Sequence, residues 1–376
     1  MKKVVLLDID GVLVSPGGYR AALHATLNYF ASLMGAPHFD FHEEKISELE
    51  KRGIFSEWDM VPVLLGAAWN DILAKTGNEH LPSDLKSAAV EIGRRMNGCV
   101  SGELHIPEFE ILPNFYPTES ALLHGIFPHL PIELRRNLLH DSRNVHYSHT
   151  TRLFQHFSLG SRVFSEAYDL PAEVETDSLL QSHDTSNLTK ATLEKLRQED
   201  VYLASITARP SAPPRDVDTS HIGYAPEAEA ALELVGLAEI PLIGYGRLEY
   251  YEKQYGVAAA SLLKPSPVQS LAAVAAAFTG EEWSSIQAAA ESQASGRLTS
   301  LFLSLPREFE LFVVEDTMGG IRSTQAAGEV LQKNGFDVKV HALGLTSGSA
   351  AKAEAFDKAG VIYYETWETL IAGTGL

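Results

Sequence analysis

A chain of 376 residues is too long for one ordinary compact domain and implies two or three units. Its formal net charge of −19 argues against nucleic acid or an anionic membrane surface as a partner held by bulk charge. The one cysteine, Cys99, excludes an intrachain disulfide and suits a reducing, cytoplasmic setting.

The first element is KKVVLLDID, a run of β-branched and aliphatic residues that reads as a buried strand and ends in Asp8, Asp10 and Gly11. This apolar run is too short for a signal peptide or a membrane span, and no other stretch reaches membrane length. Residues 19–34 carry apolar side chains at helical spacing, and EEKISELEKRG reads as a second helix ending at Gly53. From there to about residue 198 the pattern stays mostly helical, with no clear strand alternation.

Near residue 200 the pattern changes. VYLASIT reads as a strand, ARPSAPPRD as a loop forced by its prolines, PEAEAALELVGL as a helix and IPLIGY as a strand. SPVQSLAAVAAAF opens a helix at Pro267, and EEWSSIQAAAESQ continues helical structure. ELFVVED is a strand ending in acid, followed by a helix closed by Gly335, the strand VKVHALGL, the helix SAAKAEAFDKAG and the short strand VIYYE. Strands alternating with helices predict an α/β fold: a Rossmann-like parallel sheet with helices on both faces. The expected division is a core of residues 1–15 and 199–376, with a mainly helical domain, residues 16–198, inserted after the first strand.

In open parallel sheets, ligands bind beyond the carboxyl ends of the strands. Asp8 and Asp10 after VVLL, Thr207 after VYLASI, Lys264 after SLL, and Glu315 with Asp316 after LFVV all follow apolar runs. Asp8 and Asp316 brought within about 5 Å would repel in a partly dry site. A hard divalent cation such as Mg²⁺ relieves that repulsion. A lysine and a hydroxyl beside it complete a cradle for a dianion, which is what phosphoryl transfer needs. Asp8 at the strand end suits attack on phosphorus, and Asp10, two residues on, suits proton transfer.

These motifs resemble the haloacid dehalogenase superfamily of phosphatases. D8-I-D10-G-V-L is similar to its first motif, LASIT207 to the second, K264-P-S-P to the third and VVE315-D316-T-M-G-G-I to the fourth, over residues 1–15 and about 199–376. The resemblance implies that Asp8 is the nucleophile and a Mg²⁺ ligand, and that Asp10 is the acid/base and a ligand through its backbone carbonyl. It implies that Thr207 and Lys264 bind the phosphoryl group and that Asp316 is the remaining metal ligand. Many members carry a second acid four residues after the fourth-motif Asp; here that position is Gly320, which leaves Glu315 as the second acid. The inserted region would be the family's cap, which closes over the site and selects the substrate.

Rival readings accompany several residues. Ser205 competes with Thr207 and Lys253 with Lys264, and Arg209 is either a further phosphate-binding group or the partner of an acid. In the cap, Tyr19 and Arg20 are candidate substrate contacts, against packing or helix capping. His140, Arg143, His146, His149, Arg152 and His156 form either a basic substrate-facing surface or a solvated helix and loop. His146 and His149, three apart, raise zinc, but no cysteine and no HExxH supports it there. Trp58 reads as core, and Cys99 as structural, since its flank RRMNGCVSG offers no helper. The expected activity is Mg²⁺-dependent hydrolysis of a small phosphorylated metabolite through an aspartyl-phosphate, by a monomer or homodimer. A phosphomutase or a non-catalytic phosphate-binding protein is the alternative.

Overall fold

The computed structural model describes the chain from Met1 to Leu376 except residues 40, 42, 97–103 and 114. Cys99 lies outside the described residues. The chain forms two compact units, one of Met1–Pro16, Ala167–Asp169 and His183–Leu376, the other of Gly17–Glu166 and Leu170–Ser182.

In the first unit the strands are β1 (Lys3–Leu7), β2 (Val14–Ser15), β3 (Thr185–Ser186), β4 (Val201–Ile206), β5 (Leu242–Ile243), β6 (Glu308–Glu315), β7 (Asp337–Leu345) and β8 (Ile362–Tyr364). Six of them make one sheet in the order β5-β4-β1-β6-β7-β8, and every pairing is parallel. The sheet is therefore the α/β, Rossmann-like core that the alternation of elements predicts.

Val4, Val5, Leu6 and Leu7 are all fully buried, because the central strand is covered on both faces. Val4 and Leu6 pack with Ala204, Ile206, Leu311 and Val313 under the helices Pro267–Thr279, Glu282–Ser295 and Met318–Lys333. Val5 and Leu7 point the other way, with Leu203, Phe312 and Val314, against the helices Lys190–Leu196, Glu227–Leu234 and Trp367–Thr374. This two-sided burial explains why the strands read as continuous apolar runs rather than alternations.

Three details differ from the pattern expected of the sequence. The first unit regains the chain at His183, where residues up to 198 read as part of the insertion. The reason is β3, which pairs antiparallel with β2, a ribbon of two residues per strand and too short to leave an alternation. The segment SLL before Lys264 is not a strand: Ala259–Leu262 is a helical turn, and Lys264 enters from the loop ahead of the helix Pro267–Thr279. Finally, EEWSSIQAAAESQ forms its own helix, since the preceding one ends at Gly280 in the left-handed region, φ 78°.

The second unit is helical. Gly18–Leu33, Glu57–Thr76, Leu85–Arg95 and His149–Leu159 enclose a core that includes Phe30, Trp69, Phe127 and Phe154. Phe30 meets Trp69 edge to face at 5.9 Å between ring centroids, and Trp58 packs half-buried against the same core. Within this unit Tyr19 stacks on Phe154 at 6.3 Å, and Arg20 pairs with Glu50 at 3.2 Å.

The histidine- and arginine-rich segment is used internally. Arg143 pairs at 2.7 Å with Asp59, which is fully buried and also accepts from Thr118 and Ser142. Glu173 gathers His149 at 2.9 Å, Arg152 at 3.2 Å and Lys86 at 2.5 Å. His156 is fully buried; its Nδ1–H donates to the Arg152 carbonyl and its Nε2 accepts from the Glu173 N–H. Burial accordingly holds its imidazole below its usual pKa.

The hydrogen bond from His149, joined by that from Lys86, outweighs burial and holds the Glu173 carboxyl far below the usual carboxylate range. A carboxyl depressed on folding stabilises the protein above its unfolded pKa and loses that contribution as pH falls. Glu173→Gln is therefore expected to be about 1–2 kcal/mol less stable than wild type near pH 7. The gap should narrow progressively below about pH 4, where the carboxyl protonates in the unfolded chain while the folded one still holds it ionised. Urea unfolding of both proteins at a series of pH values measures it, and a gap independent of pH would refute the role.

Candidate active site

The strand order reverses around β1, which has β4 on one side and β6 on the other. Their carboxyl ends are therefore neighbours: Leu7 stands opposite Ser205 and Val314. Asp8 follows β1 directly, donating its N–H to the Val314 carbonyl at 3.2 Å, and is only 5% exposed. Glu315 ends β6 and is fully buried; Asp316 follows it. One oxygen from each of Asp8, Glu315 and Asp316 lies within 4.8 Å of the other two. Among the described residues this is the only such convergence of three or more metal-capable side chains.

Two lysines face the three carboxylates. Lys264 Nζ bridges Asp8 Oδ1 at 2.9 Å and Glu315 Oε1 at 2.6 Å. Burial opposes its charge, but Asp8 and Glu315 together outweigh burial and keep its pKa above the usual lysine value. Lys352 Nζ contacts Asp316 Oδ2 at 2.6 Å. Three carboxylates against two ammonium groups leave an excess of negative charge. Burial, with Glu315 alongside, pushes the Asp8 carboxyl well above its usual pKa.

The donors suit a hard divalent cation: all are carboxylate oxygens, and the ion would offset the repulsion that adds to burial in raising Asp8. The packing around them is equally specific. Gly11 adopts φ 72°, and a Cβ there would stand 2.3 Å from Asp316 Oδ2. At Gly320 a Cβ would stand 1.7 Å from Glu315 Oε1. The Glu315 carboxylate thus fills the space in which a side chain at 320 would begin. Glu315 Oε2 also accepts from the Thr317 hydroxyl at 3.1 Å.

Thr207 follows β4 and is 1% exposed; its N–H donates to the Ile243 carbonyl and its Oγ1 accepts from the Arg209 N–H. Gln269, buried in the helix Pro267–Thr279, locks this corner together. Its Nε2 donates to the carbonyls of Thr207 and Ile243 at 3.0 and 2.7 Å, and its Oε1 accepts from the Lys264 N–H at 3.0 Å. Ser205, the rival hydroxyl, is fully buried and donates to the Leu7 carbonyl at 3.0 Å. Lys253, the rival ammonium, lies over the Tyr224 ring and beside Glu249, away from the carboxylates.

Arg209 is engaged with acids. Its guanidinium is 3% exposed, grips Asp10 through Nε at 2.9 Å and Nη2 at 2.6 Å, and reaches buried Asp184 at 2.9 Å. It therefore serves to hold the Asp10 carboxylate, which is partly exposed, and pairs as well with the buried Asp184. The turn that carries Asp10 is braced by Trp367 Nε1 and Asn187 Nδ2, both donating to the Val12 carbonyl.

Asp8, Lys264, Glu315 and Asp316 thus come together, with Thr207 linked to Lys264 through Gln269 and with Asp10 linked to Thr207 through Arg209. Lys352, Asp184 and Gln269 escaped the sequence reading. Gln269 left a signal, an amide in a helix of mostly apolar residues, and Lys352 another, a cation in the first turn of a helix. Asp184 left none.

No family model matches the chain, and no curated protein matches it. Among solved structures it is similar to phosphatase Tt82 from Thermococcus thioreducens, at 14% identity and a TM-score of 0.39, over 90% of this chain and 91% of that one. No helix among the described residues is long and apolar enough to cross a membrane.

The contact at Gly320 makes a sign-reversing prediction. In an ordinary helix Gly→Ala gains about 1 kcal/mol. Gly320→Ala is expected instead to lose about 1–3 kcal/mol, because Glu315 must move. Thermal unfolding of the variant measures the sign, and a stabilised variant would show that Glu315 is not held there.

Proposed function

We propose that this protein is a Mg²⁺-dependent phosphomonoester hydrolase of the haloacid dehalogenase type, acting on a small phosphorylated metabolite through an aspartyl-phosphate. The observation that carries the reading is the convergence of Asp8, Glu315 and Asp316 at adjoining strand ends with Lys264 bridging two of them. Such a group is costly to bury unless it has a charge to bind.

Asp8, Asp316 and Glu315 would hold the ion, together with the Asp10 carbonyl. The ion would neutralise the carboxylates and the transferring phosphoryl group. Lys264, bearing its proton, offers a further positive charge to the phosphoryl oxygens, and Thr207 offers a hydroxyl. An Asp8 oxygen attacks phosphorus, the P–O bond to the leaving group breaks, and Asp10 gives that oxygen a proton. In the second half Asp10 takes a proton from water, whose oxygen attacks phosphorus and releases Asp8 and phosphate. The contact with Arg209 fixes where the Asp10 carboxylate stands.

Phosphate release from a panel of phosphomonoesters, with and without Mg²⁺, tests the reading. Wild type is expected to turn over at least one ester only with Mg²⁺. Asp8→Asn should lower kcat by at least about 10³-fold, since it removes the nucleophile. Full activity in Asp8→Asn would overturn the mechanism.

A further inference from the structure

We propose that Lys352 is a second cation of the phosphoryl site, which serves as the counter-ion of Asp316 in the metal-free protein and weakens metal binding while strengthening anion binding. The proposal rests on the functional reading above. Two independent observations carry it.

The first is geometric. The loop after β7 and the helix Ala350–Ala359 bring Lys352 to the same strand ends from which Asp8, Glu315 and Asp316 project. Its Nζ is 2.6 Å from Asp316 Oδ2, and the side chain keeps 32% exposure. Lys264, by contrast, is shared by Asp8 and Glu315 and is 12% exposed. Each carboxylate of the cluster thus meets an ammonium through one oxygen.

The second observation is that Lys352 is misplaced by the rules of its own helix. Ser349 caps that helix and its Oγ accepts from the Lys352 N–H, so Lys352 occupies the third helical position. The helix N-terminus repels cations, and a glutamate or glutamine there would complete a capping box. A lysine that breaks both local preferences and reaches Asp316 is better explained by the site than by the helix.

The charges then assign its effect. With a divalent ion bound, three carboxylates and two ammonium groups carry one net positive charge, ready for a phosphoryl dianion. Remove Lys352 and the same site attracts the metal more strongly and the dianion less. A bridge that only held Asp316 in place would move both affinities the same way, or neither.

Isothermal titration of the full chain with MgCl2, and then with inorganic phosphate at saturating Mg²⁺, separates these cases. For Lys352→Met the expected Mg²⁺ Kd falls at least threefold and the phosphate Kd rises at least tenfold. Lys352→Arg, which keeps the charge, should return both toward wild type. Unchanged or weaker Mg²⁺ binding in Lys352→Met, or unchanged phosphate binding, overturns the proposal. If that variant fails to fold, Lys352→Gln, which restores a favourable capping residue, is read by the Tm shifts that Mg²⁺ and phosphate induce, with the same opposite signs required. A wild type that binds neither Mg²⁺ nor phosphate overturns the functional reading. A wild type that binds both, beside an indistinguishable Lys352→Met, overturns only the role of Lys352.

Discussion

Repulsion among carboxylates organises this molecule. A parallel pairing of β1 with β6 makes Asp8 and Glu315 close neighbours, since the residues before them, Leu7 and Val314, stand in register. Asp316 adds a third acid beside them. Coulomb repulsion between groups a few ångströms apart grows as water is excluded, so this arrangement persists only with cations built around it. Lys264 and Lys352 are those cations, and each arrives from a different part of the chain. The loop carrying Lys264 is in turn tied to β4 and β5 by Gln269, which joins three backbone groups through one buried amide.

Space around the acids is rationed as tightly as charge. Glu315 occupies the volume above Gly320, and Asp316 the volume above Gly11. The glycine after D8-I-D10 thus does two things. It reaches a left-handed conformation that an ordinary residue adopts only under strain, and it lets a carboxylate from β6 approach the turn. Glu315 thus reaches the cluster from a strand end, across the bare backbone of Gly320.

The helical unit follows a different logic. From the sequence its histidines and arginines read either as a substrate-facing surface or as a solvated helix and loop, yet Asp59 and Glu173 consume Arg143, His149 and Arg152 within the unit. Asp59, fully buried, and Glu173, partly so, require partners, and those of Glu173 hold its segment to the helices that carry Lys86 and His149.

The sequence by itself determined the sheet and the acids at the carboxyl ends of its strands. Fully buried strands are continuous apolar runs, and an acid at the end of such a run is a departure that can be read without coordinates. Asp8, Glu315 and Asp316 were legible on that ground, and Thr207 as a hydroxyl ending its strand. Tertiary structure alone decided which groups meet. Lys264 was legible as a motif residue but not as a loop residue, because a four-residue helical turn and a short strand leave the same apolar run. The pairing of Arg209 with Asp10 and Asp184, and of Lys352 with Asp316, joins residues up to 199 positions apart. Side-chain periodicity reports only which face of an element is buried. What a charged group touches at a strand's end depends on the order in which the strands assemble, and no local pattern records that.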